Sequence, residues 1–105
     1  MKLLNAVSLN MIEDLNGTAI LTFPIGIDEA RKIASQGIES VVGHADTAAI
    51  FSSLLEIEVP FNRTTVLLKK GEEVLVGQYK GPRLPEGVKE LPQGATVEWI
   101  LVRIR

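Results

Sequence analysis

Four places along the chain gather side chains able to hold an anion or move a proton: "NAVSLN" at residues 5–10, the "GH" of Gly43 and His44, "FNR" at 61–63, and "PRLPEG" at 82–87. His44 is the sole histidine, set between a β-branched run and the start of a helical pattern. If a strand ends at Val42 and a helix opens near Ala45, the backbone N–H groups at the junction point outward unpaired and favour an anion. That placement makes a phosphate-handling histidine worth testing against the rest of the sequence. Imidazole titrates near neutral pH, which suits a general acid, and the planar fork of Arg83 or Arg63 suits phosphate oxygens.

Other chemistries are poorly served. One histidine with no carboxylate at helical ligand spacing makes a meagre ligand set, so no metal site is expected, and no motif asks for a cofactor. Ser8 lacks the G-x-S-x-G elbow of a hydrolase nucleophile. Plainer roles stand beside the chemical ones. His44 can be a turn residue, Arg83 and Glu86 a surface ion pair of little energetic worth, and Asn5, Ser8 and Asn10 turn and cap residues. Taken singly, none of the four stretches is specific.

The elements that must position these residues are short. "KLLNAV" reads as a buried first strand, followed by a helical turn through "LNMIEDL" with Ser8 as N-cap. "TAILTFPI" is a second strand stopped by Pro24 and Gly26; Asp28 can cap a helix over "EARKIASQ" that Gly37 ends. "IESVV" is a third strand, and Ala45 to Leu55 a second helix. "TTVLLKK" and "VLVGQYK", joined through Gly71, predict a hairpin. "GPRLPEG" is a shaped loop, because Pro82 and Pro85 lack the N–H a strand needs, and "TVEWILVRI" is a central strand. Strands interleaved with helices predict an α/β fold, a single domain over residues 1–105 with a mixed β-sheet flanked by helices. All four chemical stretches then fall at strand ends or loops, where such sheets collect ligands.

Composition narrows the partners. Eleven basic and thirteen acidic side chains leave a formal charge of −2, which argues against duplex-DNA binding through many phosphate contacts. The chain has no cysteine, and its opening run "MKLLNAVSLNMIEDL" is too short and polar for a signal peptide or a membrane span. A cytoplasmic protein is expected.

In their order, "LLNAVSLNMI", "VVGHADT", "FNR" and "RLPEG" resemble the small ring-nuclease family first met as anti-CRISPR proteins of archaeal viruses, with relatives in phages, bacteria and mobile elements. The resemblance runs from about Leu3 to the last strand. It implies a homodimer that binds cyclic tetra-adenylate, the second messenger of type III CRISPR complexes. It also implies cleavage without metal to linear di-adenylate ending in a 2′,3′-cyclic phosphate, which switches the signal off. By the same resemblance His44, Arg83 and Glu86 are catalytic, and Asn5, Ser8, Asn10, Gly43 and Arg63 contact the ligand. This chain departs from viral members in having Ala45 where an acidic residue usually follows the histidine, and Pro85 where a glutamate precedes the loop's second glutamate. The alternative, from another class, is a non-catalytic regulator from a mobile element that binds a cyclic nucleotide, a nucleic acid or a protein.

Overall fold

The two most apolar β-rich runs, "EVLVGQYK" and "TVEWILVRI", form the middle of the sheet and set its register. A computed structural model describes residues 1–105. In it β4 (Glu73–Lys80) and β5 (Thr96–Ile104) pair antiparallel from Glu73↔Arg103 to Lys80↔Thr96. On the far side of β4 lie β1 (Lys2–Leu4) and then β3 (Glu39–Ser40), both parallel; on the far side of β5 lies β2 (Ile20–Ile25), antiparallel. The order β2-β5-β4-β1-β3 is a five-stranded mixed sheet in a single α/β domain. Helices α1 (Ile27–Ser35) and α2 (Ala45–Leu55) follow β2 and β3.

Strand alternation divides the core in two. Leu3, Leu75 and Trp99 face the helices and meet Ala30 and Ala34 of α1 and Ala48, Ile50, Phe51 and Leu55 of α2. Leu4, Val74, Val76, Val102 and Ile104 face the other way, under Ile12, Val66 and Leu68. Both helices therefore cover one face of the sheet, while extended segments cover part of the other.

One contact fixes α2 on that sheet. The Phe51 and Trp99 rings meet with centroids 5.0 Å apart and planes tilted by 57°, directly over Gly77 of β4. A Cβ at position 77 would stand 2.5 Å from Phe51 Cζ and 2.6 Å from Trp99 Cζ3. The strand must be bare there for the two aromatic rings to pack.

The structure corrects several sequence expectations. The hairpin joining residues 64–70 to β4 does not form, because β1 and β5 already occupy both edges of β4. The 66–68 segment instead runs parallel to residues 11–13: the Leu68 N–H donates to the Met11 carbonyl, and the Glu13 N–H to that of Leu68 at 2.9 Å. Pro24 lies inside β2 rather than ending it, which an edge strand tolerates because the missing N–H leaves no inner ladder broken. The first and third strands are shorter than their apolar runs, although Val41 N–H still reaches the Leu3 carbonyl at 3.0 Å. Helix α1 starts one residue before Asp28, with Gly26 as its N-cap. The early helical turn is only a 3-10 turn over Leu9–Met11; Ser8 is its N-cap by position but makes no side-chain capping bond.

An ion pair closes the sheet between its first strand and the start of β4. Lys2 Nζ donates to Glu72 Oε2 at 2.7 Å, and Glu72 Oε1 accepts the Lys69 N–H at 3.2 Å. Burial pushes the Glu72 carboxyl up, but the Lys2 hydrogen bond, the Lys69 N–H and both ammonium charges outweigh it and hold the carboxyl below its ordinary 4.5. The hydrogen bond to Glu72, opposed by burial, raises the Lys2 ammonium above 10.5.

Gly77→Ala is expected to lower stability by about 1–3 kcal/mol through overpacking against Phe51 and Trp99, read as a lower urea midpoint. For Glu72 the depressed carboxyl contributes stability above its unfolded pKa that is lost as pH falls through the folded value. The raised Lys2 contributes below its unfolded pKa and is lost only as pH rises through its folded value. Glu72→Gln should cost no more than about 1 kcal/mol at pH 7 and flatten the acid limb of a pH–stability profile; an unchanged acid limb would count against the pair.

Candidate active site at the carboxyl ends of the parallel strands

β1, β3 and β4 run in the same direction, so their carboxyl ends meet at one rim of the sheet. Residues 5, 41–44 and 81–83 all leave the sheet there, which is where open α/β sheets place ligands.

His44 occupies the N-cap of α2, with φ −139° and ψ 121°, and its carbonyl accepts the first helical bond, from the Ala48 N–H at 3.0 Å. Its side chain makes no capping bond and is exposed at the positive end of the helix dipole. Imidazole Nδ1 lies 3.5 Å from Oγ1 of Thr47, a buried residue one turn on. The helix opens at Ala45 as expected from sequence, although β3 before it ends at Ser40 and not at Val42.

Two further stretches converge on Gly43. Asn5 Oδ1 accepts the Gly43 N–H at 3.4 Å, tying the end of β1 to the turn before α2. The 60–63 segment runs alongside: Ser40 Oγ donates to the Pro60 carbonyl at 2.6 Å, and the Asn62 N–H to the Val42 carbonyl at 2.9 Å. Asn62 Nδ2 also donates to the Ser40 carbonyl at 2.9 Å. These bonds bring the Arg63 stem against Gly43, where a Cβ would lie 3.5 Å from Arg63 Cγ. Asn5, Gly43 and Arg63 are thus neighbours, although 58 residues separate the first from the last.

The loop after β4 completes the rim. Tyr79 follows Gly77 by one alternation on the helix-facing side, and its O–H donates to the Pro82 carbonyl at 2.6 Å. Gly81 lets the chain pass Ala95, since a Cβ there would stand 2.6 Å from the Ala95 Cβ. Residues 85–88 form a turn, with the Val88 N–H donating to the Pro85 carbonyl at 3.3 Å and Gly87 at φ +79°, a value glycine adopts freely. Leu84 and Val88 pack on the helix-side core, while Arg83 and Glu86 stay exposed.

His44, Arg83 and Glu86 line one cleft of about 570 Å³ with Asp46, Thr47 and Tyr79. Arg83 and Glu86 form no ion pair, with each other or with any other residue, so the surface-pair role is not realised. An imidazole, a guanidinium and a carboxylate facing one open cleft can supply a proton, balance negative charge and orient a reacting group. No three His, Asp or Glu residues are grouped so as to hold a metal ion.

Ser8 and Asn10 are exposed on the 3-10 turn and do not line this cleft. Asn5 also borders a smaller hollow, about 240 Å³, on the other face of the sheet with Val7, Val76 and Ile100. Sequence reasoning missed Asp46, Thr47 and Tyr79. The i, i+3 spacing of His44 and Thr47 at a helix start was the available signal for one of them; Tyr79 needed the strand register. No helix is long and apolar enough to cross a membrane.

The profile of the STIV B116-like family matches residues 1–94. Uncharacterized protein 26 of Sulfolobus islandicus filamentous virus (isolate Iceland/Hveragerdi) is 32% identical over 80 residues, covering 70% of this chain and 67% of that protein. B116 of Sulfolobus turreted icosahedral virus superposes with a TM-score of 0.78 over 97% of each chain at 22% identity, and so shares the fold. With its profile spanning four of the five strands, both helices and the cleft, the chain belongs to the STIV B116-like family.

Proposed function

We propose that this protein is a metal-independent ring nuclease that cleaves cyclic tetra-adenylate and so switches off type III CRISPR signalling. The observation that carries the reading is the joint placement of His44, Arg83 and Glu86 on one cleft, with the histidine at a helix start. The ordered motifs from "LLNAVSLNMI" to "RLPEG" and the viral relatives support it.

RNA carries its own nucleophile. The ribose 2′-oxygen attacks the adjacent phosphorus, the bond to the 5′ oxygen breaks, and a 2′,3′-cyclic phosphate remains. The leaving oxygen takes a proton from His44, while Arg83 balances the charge that grows on the phosphate oxygens. Glu86 orients the imidazole or the 2′-hydroxyl. Asn5, Gly43 and Arg63 form one patch beside the cleft that holds the ring; the roles of Ser8 and Asn10 as ring contacts rest on the resemblance alone. Two cuts convert the ring to two linear di-adenylates, and a twofold homodimer would offer two equal half-sites to a ligand of matching symmetry.

Incubation with cyclic tetra-adenylate in EDTA tests the reading; intact ring after many equivalents of protein would leave a non-catalytic binder. His44→Ala is expected to keep the melting temperature and ring affinity while lowering the single-turnover rate about 10²–10⁴-fold, the range for a lost proton donor. An unchanged rate would overturn the role given to His44.

A further inference from the structure

The loop bearing Arg83 and Glu86 is joined to the helix bearing His44 by two side-chain hydrogen bonds. Ser53 Oγ donates to the Lys89 carbonyl at 3.0 Å, in the later half of α2 and beyond the cleft. At the cleft itself, Asp46 Oδ1 accepts the Gly87 N–H at 3.2 Å, across 41 residues of sequence.

The helix dipole favours an acidic residue at position 46 but does not say where its carboxylate should point. Asp46 makes no ion pair, and the start of α2 has no side-chain cap, so the carboxylate is not used to close its own helix. A negative charge lining a cleft that is to hold phosphates repels the ligand. The Gly87 bond gives the carboxylate a purpose that offsets this repulsion. Gly87 belongs to the Pro85–Val88 turn, whose second residue is Glu86, and Arg83 lies between this turn and the Tyr79–Pro82 bond.

The geometry points to Asp46 as a positioning residue: by accepting the Gly87 N–H it holds the turn carrying Glu86, and with it Arg83, against the helix start that presents His44. Its effect on turnover rests on the ring-nuclease reading; its effect on the loop does not. The bond needs an acceptor oxygen and not a charge. Asparagine, which keeps that oxygen, therefore serves in place of aspartate, and alanine does not.

The test compares wild type, Asp46→Ala and Asp46→Asn by amide exchange at Gly87, single-turnover cleavage of cyclic tetra-adenylate and melting temperature. Asp46→Ala should speed Gly87 exchange about tenfold, as expected for a lost hydrogen bond. It should slow cleavage about 10–100-fold through misplacement of the loop, without loss of ring affinity or a matching fall in melting temperature. Asp46→Asn should restore both readouts. Unchanged Gly87 exchange in Asp46→Ala overturns the inference. So does an asparagine variant that protects Gly87 yet cleaves as slowly as the alanine one, since charge would then set the rate. If Gly87 exchange follows the acceptor while wild type leaves the ring intact, the latch stands and the nuclease reading falls.

Discussion

Phe51 and Trp99 pack as a tilted pair over a strand position where any side chain would intrude, and the placement of the site follows from that contact. Phe51 belongs to α2 and Gly77 to β4, so the contact pins one helix to one strand at a single height. His44 lies seven residues before Phe51, about two helical turns away. Tyr79 and the loop with Arg83 and Glu86 begin two residues beyond Gly77. An apolar contact that touches no ligand thus sets the distance across the cleft. Close-packed interiors transmit such constraints because they have little free volume in which to relax.

The sequence was most informative where local pattern and tertiary role agree. Helix α2 was legible to its ends, since its apolar spacing, the turn before it and the polar "EIE" after it all point the same way. β5 was legible as central because few of its positions are polar: Thr96, Glu98 and Arg103 alone break its apolar run. The 64–70 segment was not. Val66 and Leu68 alternate with exposed residues as in any half-buried strand, and nothing local tells whether the partner is β4 or residues 11–13. Strand partners are settled by which edges are free, a property of the whole sheet.

The site shows the same division. His44, Arg83 and Glu86 are chemically conspicuous and stand at punctuated places, a helix start and a proline-braced loop. Ser8 and Asn10 were equally conspicuous, yet the short 3-10 turn leaves them away from the cleft. Asp46 escaped notice because an acidic residue in a first helical turn has an ordinary explanation in the helix dipole. Only the 3.2 Å approach of the Gly87 amide shows that its oxygen is engaged elsewhere.

The strand order also has a consequence for how the protein comes into being. Of the five strands β1 is made first, but one neighbour, β4, begins 69 residues after the end of β1, and edge strand β2 has β5 as its sole partner. No pair of strands adjacent in synthesis forms a ladder until β5 appears beside β4. β1 can meet β3 and then β4 as they emerge, but the two longest ladders, β4–β5 and β2–β5, wait for the last of the five strands, so the sheet closes late. Such long-range pairing slows folding and leaves strand edges open to wrong partners in the meantime. For this small sheet the vulnerable moment lies before β5 is made, when helices α1 and α2 can coil but have no finished surface on which to lie.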